Sequence, residues 1–446
     1  MDFLENALEM IRKYSLCDHC LGRQFALLGY NLKNTQRGQA LKLVLILHSS
    51  KLFLEEKPVG ANDLKVLVEK AFSSEAKQTL QHLKKTDLVE TQLEPCFLCN
   101  NTFQNLETLI QLILKRLSDY DYSTFLVGIE LPVEFEERND EFKSFFNIIY
   151  GESIRHEFAR LIGKKIAALS GKTPEYKKPD ISIIVNPFTM KIRLQINPLF
   201  IGGRYKKLVR TIPQSKWHCS KCRGKGCTNC HGTGKLYDES VEELTSELLL
   251  KNSEGEKTKF HASGREDIDA RMLGNGRPFI IEVSKPKKRF IDLELLQTKI
   301  NKNATGKVEI SNLTYANKDL VRRLKKGESA KKEYRVLIEF EKEISEGVLS
   351  LLEDKLTETM IKQQTPIRVL HRRADLIRER YIYSVKVKTV SPKRAELKIL
   401  CQGGLYVKEL VSGDEGRTMP SVSSLLENQA KTLELDVLNV ILNDKK

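Results

Sequence analysis

No apolar run in the 446-residue chain approaches the ~18 residues that a membrane-crossing helix needs. The opening residues, MDFLENALEMIRKY, have neither the basic start nor the apolar stretch of a secretory signal. Neither a Walker P-loop nor a Rossmann glycine fingerprint occurs, which argues against kinases, helicases and nucleotide-activating RNA thiolases. Acidic residues are in deficit: 59 Asp and Glu face 74 Lys and Arg, a formal charge of +15. That excess suits a polyanion, most simply nucleic acid, although a solvated basic surface without a partner has the same composition. Isolated cysteine is scarce too. Of nine cysteines, eight fall in C-x-x-C pairs, which in a chain without an export signal reads as reduced thiolates on metal. With 40% hydrophobic and 30% charged residues, a chain of this length is expected to form two or three globular domains.

Of what is present, the N-terminal third reads as helical. Apolar spacing predicts helices over 3–14, 38–47 and 61–83. Cys17-Asp-His-Cys20 has its natural complement in Cys96-Phe-Leu-Cys99. Two such knuckles close a four-thiolate zinc site even when far apart in sequence, and four thiolates leave no open position, so its role is structural. A redox pair is the rival, but no βαβ pattern surrounds either knuckle. His19 reads as a surface residue. NLETLIQLILKRLSDY is an amphipathic helix, TFLVGIELP a strand, and 145–169 a longer helix ended by Gly171. A hairpin with a basic second strand follows, through GGRYKKLVR. This order over 105–210 resembles a THUMP-type RNA-binding module; an ordinary α+β domain with a basic face is the alternative.

Next comes WHCSKCRGKGCTNCHGTGK, two C-x-x-C-x-G-x-G units carrying Cys219, Cys222, Cys227 and Cys230. The glycines let amides turn towards sulfur, as zinc knuckles require. Hsp40-type chaperones share the knuckle, but their His-Pro-Asp loop is missing. We read a metal-pinned elbow, with Lys216, Lys221, Arg223 and Lys225 available to RNA. From Ser240 onward helices and strands alternate. Glu333 to Phe340 alternates as a strand with Tyr334 near its start, and Leu405 to Val411 reads as a strand. Cys401, if its strand is buried, is plain core. PIRVLHRRADLIRERYIYSVKV interleaves Arg368, Arg372, Arg373, Arg378 and Arg380 with apolar residues, a pattern suited to RNA phosphates.

The most distinctive stretch is FHASGREDIDARMLGNGRPFIIEV, residues 260–283. Arg265, Glu266, Asp267, Asp269 and Arg271 crowd between glycines just before an apolar strand. A tight loop presenting charge at a core edge is the expectation. GREDIDARMLG, followed by QGGLYVKELVSGD, resembles the archaeal and eukaryotic tRNA pseudouridine(54/55) synthase family. TPIRVLHRRAD, GDEGRTMPSVSSLL and the cysteine knuckles fit the same family.

The resemblance implies an α+β fold: a C-terminal pseudouridine-synthase domain with a mixed or antiparallel sheet, and an N-terminal zinc-bearing, THUMP-like accessory domain. The expected division is a zinc-knuckle helical region over 1–104, a THUMP-like region over 105–210, the zinc elbow over 211–238 and the catalytic domain over 239–446. It implies an isomerase of uridine 54, 55 or both in the T-loop, acting as a cytoplasmic monomer on tRNA, with structural Zn2+ and no organic cofactor. The Gly-Arg-x-Asp frame places the catalytic aspartate at Asp267, not Asp269. Tyr334 matches the tyrosine stacked on the target base, Tyr406 and Lys408 the Tyr-x-Lys segment, and Arg265 the arginine that holds the base out.

The chemistry suits these residue types. The glycosidic bond must break and the ring reattach through C5, which needs an ionised carboxylate. A nearby cation keeps a carboxylate ionised; Lys408, Arg265 and Arg271 are the candidates. Both reacting carbons are hidden in a stacked base, so the nucleotide must flip out, and an aromatic ring beneath it is worth ~1–3 kcal/mol. A non-catalytic tRNA-binding scaffold with this fold would need no Asp267. A THUMP-bearing methyltransferase is disfavoured by the missing methyl-donor fingerprint.

Overall fold

Apolar residues at helical spacing bury one face of each N-terminal helix, as Ala7, Leu8 and Ile11 do in Phe3–Lys13. The computed structural model describes residues 2–84, 93–325 and 330–441. It falls into two compact units, Met1–Asn197 and Pro198–Lys446. Among the described residues, no helix is long and apolar enough to cross a membrane.

In the first unit, two of the expected helices divide. The run over 61–83 is two helices, Pro58–Ala71 and Ser74–Lys84, because Phe72 takes a left-handed conformation (φ 56°) between them. The run over 145–169 also breaks. One helix ends at Phe145 and another, Ile154–Ser170, starts where the Ser153 hydroxyl accepts the His156 amide. Ile148 and Ile149 therefore lie in the connection, not on a helical stripe. Four strands complete this unit: β1 (Thr124–Ile129), β2 (Thr173–Pro174), β3 (Ile181–Asn186) and β4 (Lys191–Ile196). Their order is β2-β1-β3-β4, with β1 parallel to β2 and β3, and β3–β4 an antiparallel hairpin.

The basic run after that hairpin does not stay with it. At Asn197-Pro198 the chain leaves the sheet, and β5 (Leu199–Lys207) joins the second unit. There it meets β6 (Lys257–Ala262), β7 (Ala270–Ser284), β8 (Val308–Tyr315), β9 (Lys331–Phe340), β10 (Thr359–Gln364), β11 (Ile377–Ser391), β12 (Arg394–Gln402), β13 (Thr418–Met419) and β14 (Ala430–Ile441). These ten strands form one mixed sheet in the order β13-β10-β11-β12-β9-β14-β7-β5-β8, with β6 also on β7. Among the described residues, β7 and β14 are the one parallel pair of this sheet. The fold is α+β, as expected.

Leu405 to Val411 is not a strand. Val407–Ser412 is a short helix with Val407, Leu410 and Val411 buried, the i, i+3, i+4 spacing of a helix face, and Gly413 caps it at φ 84°. The sheet register sets the site. Tyr334 of β9 lies opposite Val437 of β14, and Val437 opposite Met272 of β7. One residue away, buried Asp436 ties the three strands through Arg271 (2.9 Å) and Arg335 (2.5 Å), and receives Arg210 at 2.8 Å.

Candidate active site and metal centres

The charged loop lies between β6 and β7, and its consecutive side chains part ways. Glu266 turns inward. Its carboxylate accepts from Arg277 Nε at 2.8 Å and from the Tyr205 hydroxyl at 2.9 Å, all three groups buried. Burial and the Glu266 charge raise the Tyr205 pKa well above the ordinary value, so this phenol stays a donor. Gln214 donates to the Tyr205 oxygen at 2.7 Å and to the Gly264 carbonyl at 3.0 Å, and Arg277 donates to the Ser263 carbonyl at 2.7 Å. From the other side, buried Lys207 donates to the carbonyls of Ile212, Asp267 and Ile268, each at 3.0 Å. The loop backbone is thus fixed at both ends by side chains that are themselves satisfied.

Arg265 and Asp267 point elsewhere. The Arg265 guanidinium lies over the Trp217 ring, 4.9 Å from its centre. Asp267 is left on the surface, where Arg368 approaches Oδ2 at 3.3 Å and Lys408 at 3.6 Å. Lys408 sits closer to Asp269, at 2.7 Å. Arg271 is engaged with Asp436, so of the three candidate cations only Lys408 reaches this carboxylate.

Arg368 is the cation the sequence reading placed on RNA phosphates instead. It sits in the turn Ile367–Arg372, anchored by buried Val369, and its Nε donates to Glu409 at 2.6 Å. Glu409 and Lys408 are adjacent on the helix Val407–Ser412, which therefore serves both cations. Missed as well was Gln363, buried, whose amide bonds the Tyr406 N–H at 2.8 Å and carbonyl at 2.9 Å. Its -Q-Q-T-P- context carries no signal of that role.

Tyr334 is buried on β9. Its pKa is raised by burial first, with the Asp267 carboxylate among the charges acting in the same direction. Tyr406 holds its hydroxyl towards Arg373, which donates to it at 2.8 Å.

The cysteines pair as expected. Cys17, Cys20, Cys96 and Cys99 form one cluster and Cys219, Cys222, Cys227 and Cys230 another, with all ligand atoms in each within 4.8 Å. Sulfurs lie 3.7 Å apart for Cys17–Cys99, 3.9 Å for Cys219–Cys227 and 3.8 Å for Cys222–Cys230. A tetrahedron with metal–sulfur bonds of about 2.3 Å has edges of about 3.8 Å. Amides of Gly226, Cys227 and Gly234 each donate to a thiol at 3.2 Å, which suits bound thiolates. Both sets fit a metal ion. Cys401 belongs to neither and is buried in β12. His19 is no free surface residue: it stacks on Phe103 and contacts buried Glu157 at 2.8 Å.

Residues 200–441 match the family model described as Pus10, C-terminal, and 109–186 match the Pus10 THUMP domain, archaeal. The chain belongs to the Pus10 family. It is similar to the tRNA pseudouridine synthase Pus10 of Methanocaldococcus jannaschii, 45% identical over 97% of this chain and 93% of that one. The protein of that name from Methanothrix thermoacetophila is 37% identical over 98% of this chain and 94% of its own. A solved Cbf5-Nop10-Gar1 complex contains a chain with 14% identity and a TM-score of 0.30, over 54% of this chain and 50% of that one. That score is too low to assign a fold.

Two expectations follow. Purified without chelator, this Pus10 family member should carry up to two equivalents of a thiophilic divalent metal, and Cys222→Ser should remove one of them. Less than one equivalent by elemental analysis would show that the clusters are bare thiols. The second concerns Lys207, whose pKa burial lowers from 10.5 to about 8. Between those values the unfolded chain binds this proton and the folded chain does not. The penalty for burying the cation is therefore complete below about pH 8 and falls away as pH rises towards 10.5. Thermal melts of wild type and Lys207→Met should differ increasingly in favour of wild type across that window; a pH-independent difference would contradict it.

Proposed function

We propose that this chain converts uridine to pseudouridine in the T-loop of tRNA, at position 54, 55 or both, with Asp267 as the reacting carboxylate. The observation that carries this reading is the Asp267 carboxylate held between Arg368 and Lys408. The names of its relatives in the Pus10 family point to the same reaction. Tyr334 serves as the platform for the flipped base. Arg368 and Lys408 face this carboxylate at 3.3 and 3.6 Å. Tyr406 and Arg373 border the same site. Arg265, stacked on Trp217, borders the cysteine-rich elbow that follows that tryptophan, and its contact to RNA is assigned on the family frame alone.

The division into 1–104, 105–210, 211–238 and 239–446 is our functional map, save that β5 belongs with the catalytic sheet, and THUMP and elbow bind the tRNA body. Zinc is the metal we assign to both cysteine clusters, since four thiolates at this spacing select it and leave no open position for chemistry. Its part is to hold the two knuckle regions folded. No organic cofactor enters the reaction. We place the activity in the cytoplasm, on tRNA, with a single chain as the working unit.

Asp267→Asn is expected to abolish pseudouridine formation, read by base-resolution mapping on unmodified tRNA, while tRNA affinity stays near normal. Asn keeps size and hydrogen bonding, but a neutral amide can neither attack C1′ nor take up a proton. Asp269→Asn removes the closer partner of Lys408 and should leave measurable turnover. An active Asp267→Asn beside a dead Asp269→Asn would move the catalytic role to Asp269.

The Tyr334 hydroxyl donates to no protein group among the described residues. Tyr334→Leu should therefore slow conversion by roughly one to several orders of magnitude through loss of stacking, and Tyr334→Phe should be much milder. Equal damage from both would make the hydroxyl, not the ring, the working part.

A further inference from the structure

Lys332 is a cation at the charged loop that the site described above does not use. It lies two residues before Tyr334 in β9, so both side chains leave the same face of the strand. Its Nζ reaches the loop: a β-carbon placed on Gly264 would lie 3.0 Å from it and 3.3 Å from Arg277 NH1. Gly264 holds a left-handed conformation at φ 78°, and a side chain there would press on this ammonium.

The charges here do not balance. Among the described residues, the Lys332 side chain makes no hydrogen bond and no ion pair. Glu266, the acid whose charge acts on Lys332, is already engaged by Arg277 and Tyr205. Cys401 lies opposite Lys332 in the β9–β12 ladder, but burial pushes its thiol up to about 12, so it stays neutral. Two cations, Arg277 and Lys332, thus share one carboxylate. Burial, and then Arg277, lower the Lys332 pKa to about 8, which leaves it mostly charged at neutral pH. A half-buried, unmatched ammonium is costly, and it stands beside the ring on which the base is laid.

We propose that Lys332 is a substrate-contact residue whose ammonium receives a phosphodiester oxygen of the uridine stacked on Tyr334. A uracil carbonyl would accept a hydrogen bond but leave the charge unmatched. A flipped nucleotide brings a phosphate on either side, and one of these supplies the missing anion. Phosphate contacts of this kind position the nucleotide and carry no sequence information. The inference rests on the reading of Asp267 and Tyr334 given above.

The test uses the full-length chain and tRNA assembled by ligation, with a neutral methylphosphonate either 5′ or 3′ to the converted uridine, under single-turnover conditions. At one linkage, wild type should slow roughly 10- to 100-fold, the value of a charge-assisted hydrogen bond. Lys332→Met should slow by a similar factor on native tRNA and lose nothing further at that linkage, and Lys332→Arg should recover most of the rate. Wild type insensitive to both neutral linkages would overturn the proposal without any variant, so it is testable even if Lys332→Met fails to fold. Losses that multiply in Lys332→Met would overturn it too, leaving Lys332 as support for Gly264. Failure of the underlying site reading is separate: Asp267→Asn would then still convert native tRNA.

Discussion

The buried ion pair of Glu266 and Arg277 is the constraint from which the site follows. Both side chains are out of water, and breaking such a pair by removing one partner typically costs about 3–5 kcal/mol, since the other charge is left stranded. Here Glu266 also accepts from Tyr205, which in turn accepts from Gln214, and Arg277 donates to the Ser263 carbonyl, so the pair's geometry is set on several sides. With Glu266 locked inward, its neighbours in the chain have to face elsewhere. Arg265 goes to Trp217 and Asp267 to the open surface. The carboxylate of the proposed reaction is thus placed by a buried neighbour.

This explains what was legible in the sequence and what was not. Five ionisable groups within seven positions announced a charged loop before a buried strand, and the glycines announced its turns. The cysteine spacing gave both metal clusters, because C-x-x-C is a local geometry that survives any separation between knuckles. The division of labour within the loop was hidden, since Glu266 and Asp267 are the same chemistry one residue apart and only the position of Arg277 and Tyr205 distinguishes them. Arg368 was hidden for the opposite reason. It lies among arginines of similar context, and what singles it out is Glu409, distant in sequence, on a helix whose apolar pattern was short enough to read as a strand. Lys207 looked like one more base in a basic strand, yet it is fully buried and holds backbone carbonyls.

Burial is graded across the site in a way that fits the reaction. Glu266, Arg277, Tyr205 and Lys207 are closed to solvent, while Asp267 remains 40% exposed. A site sealed in the free protein would exclude the nucleotide, and one with a loose backbone would lose orientation, where small misplacement costs rate. The fold resolves this by burying the framework and leaving Asp267 and the charged groups around it open. In the proposed reaction, a base stacked on Tyr334 would displace water from Asp267 and so strengthen the field of Arg368 and Lys408 there.

The two cations also differ in how firmly they are held. Arg368 is tied to buried Glu409, and its planar guanidinium cannot turn freely between that partner and Asp267. Lys408 is a flexible point charge shared between Asp267 and Asp269, nearer to the second. Asp269 thus competes for the cation that Asp267 shares. A cation tied to Glu409 and one shared with Asp269 thus both face Asp267, and the short helix Val407–Ser412, by carrying both Lys408 and Glu409, couples the two.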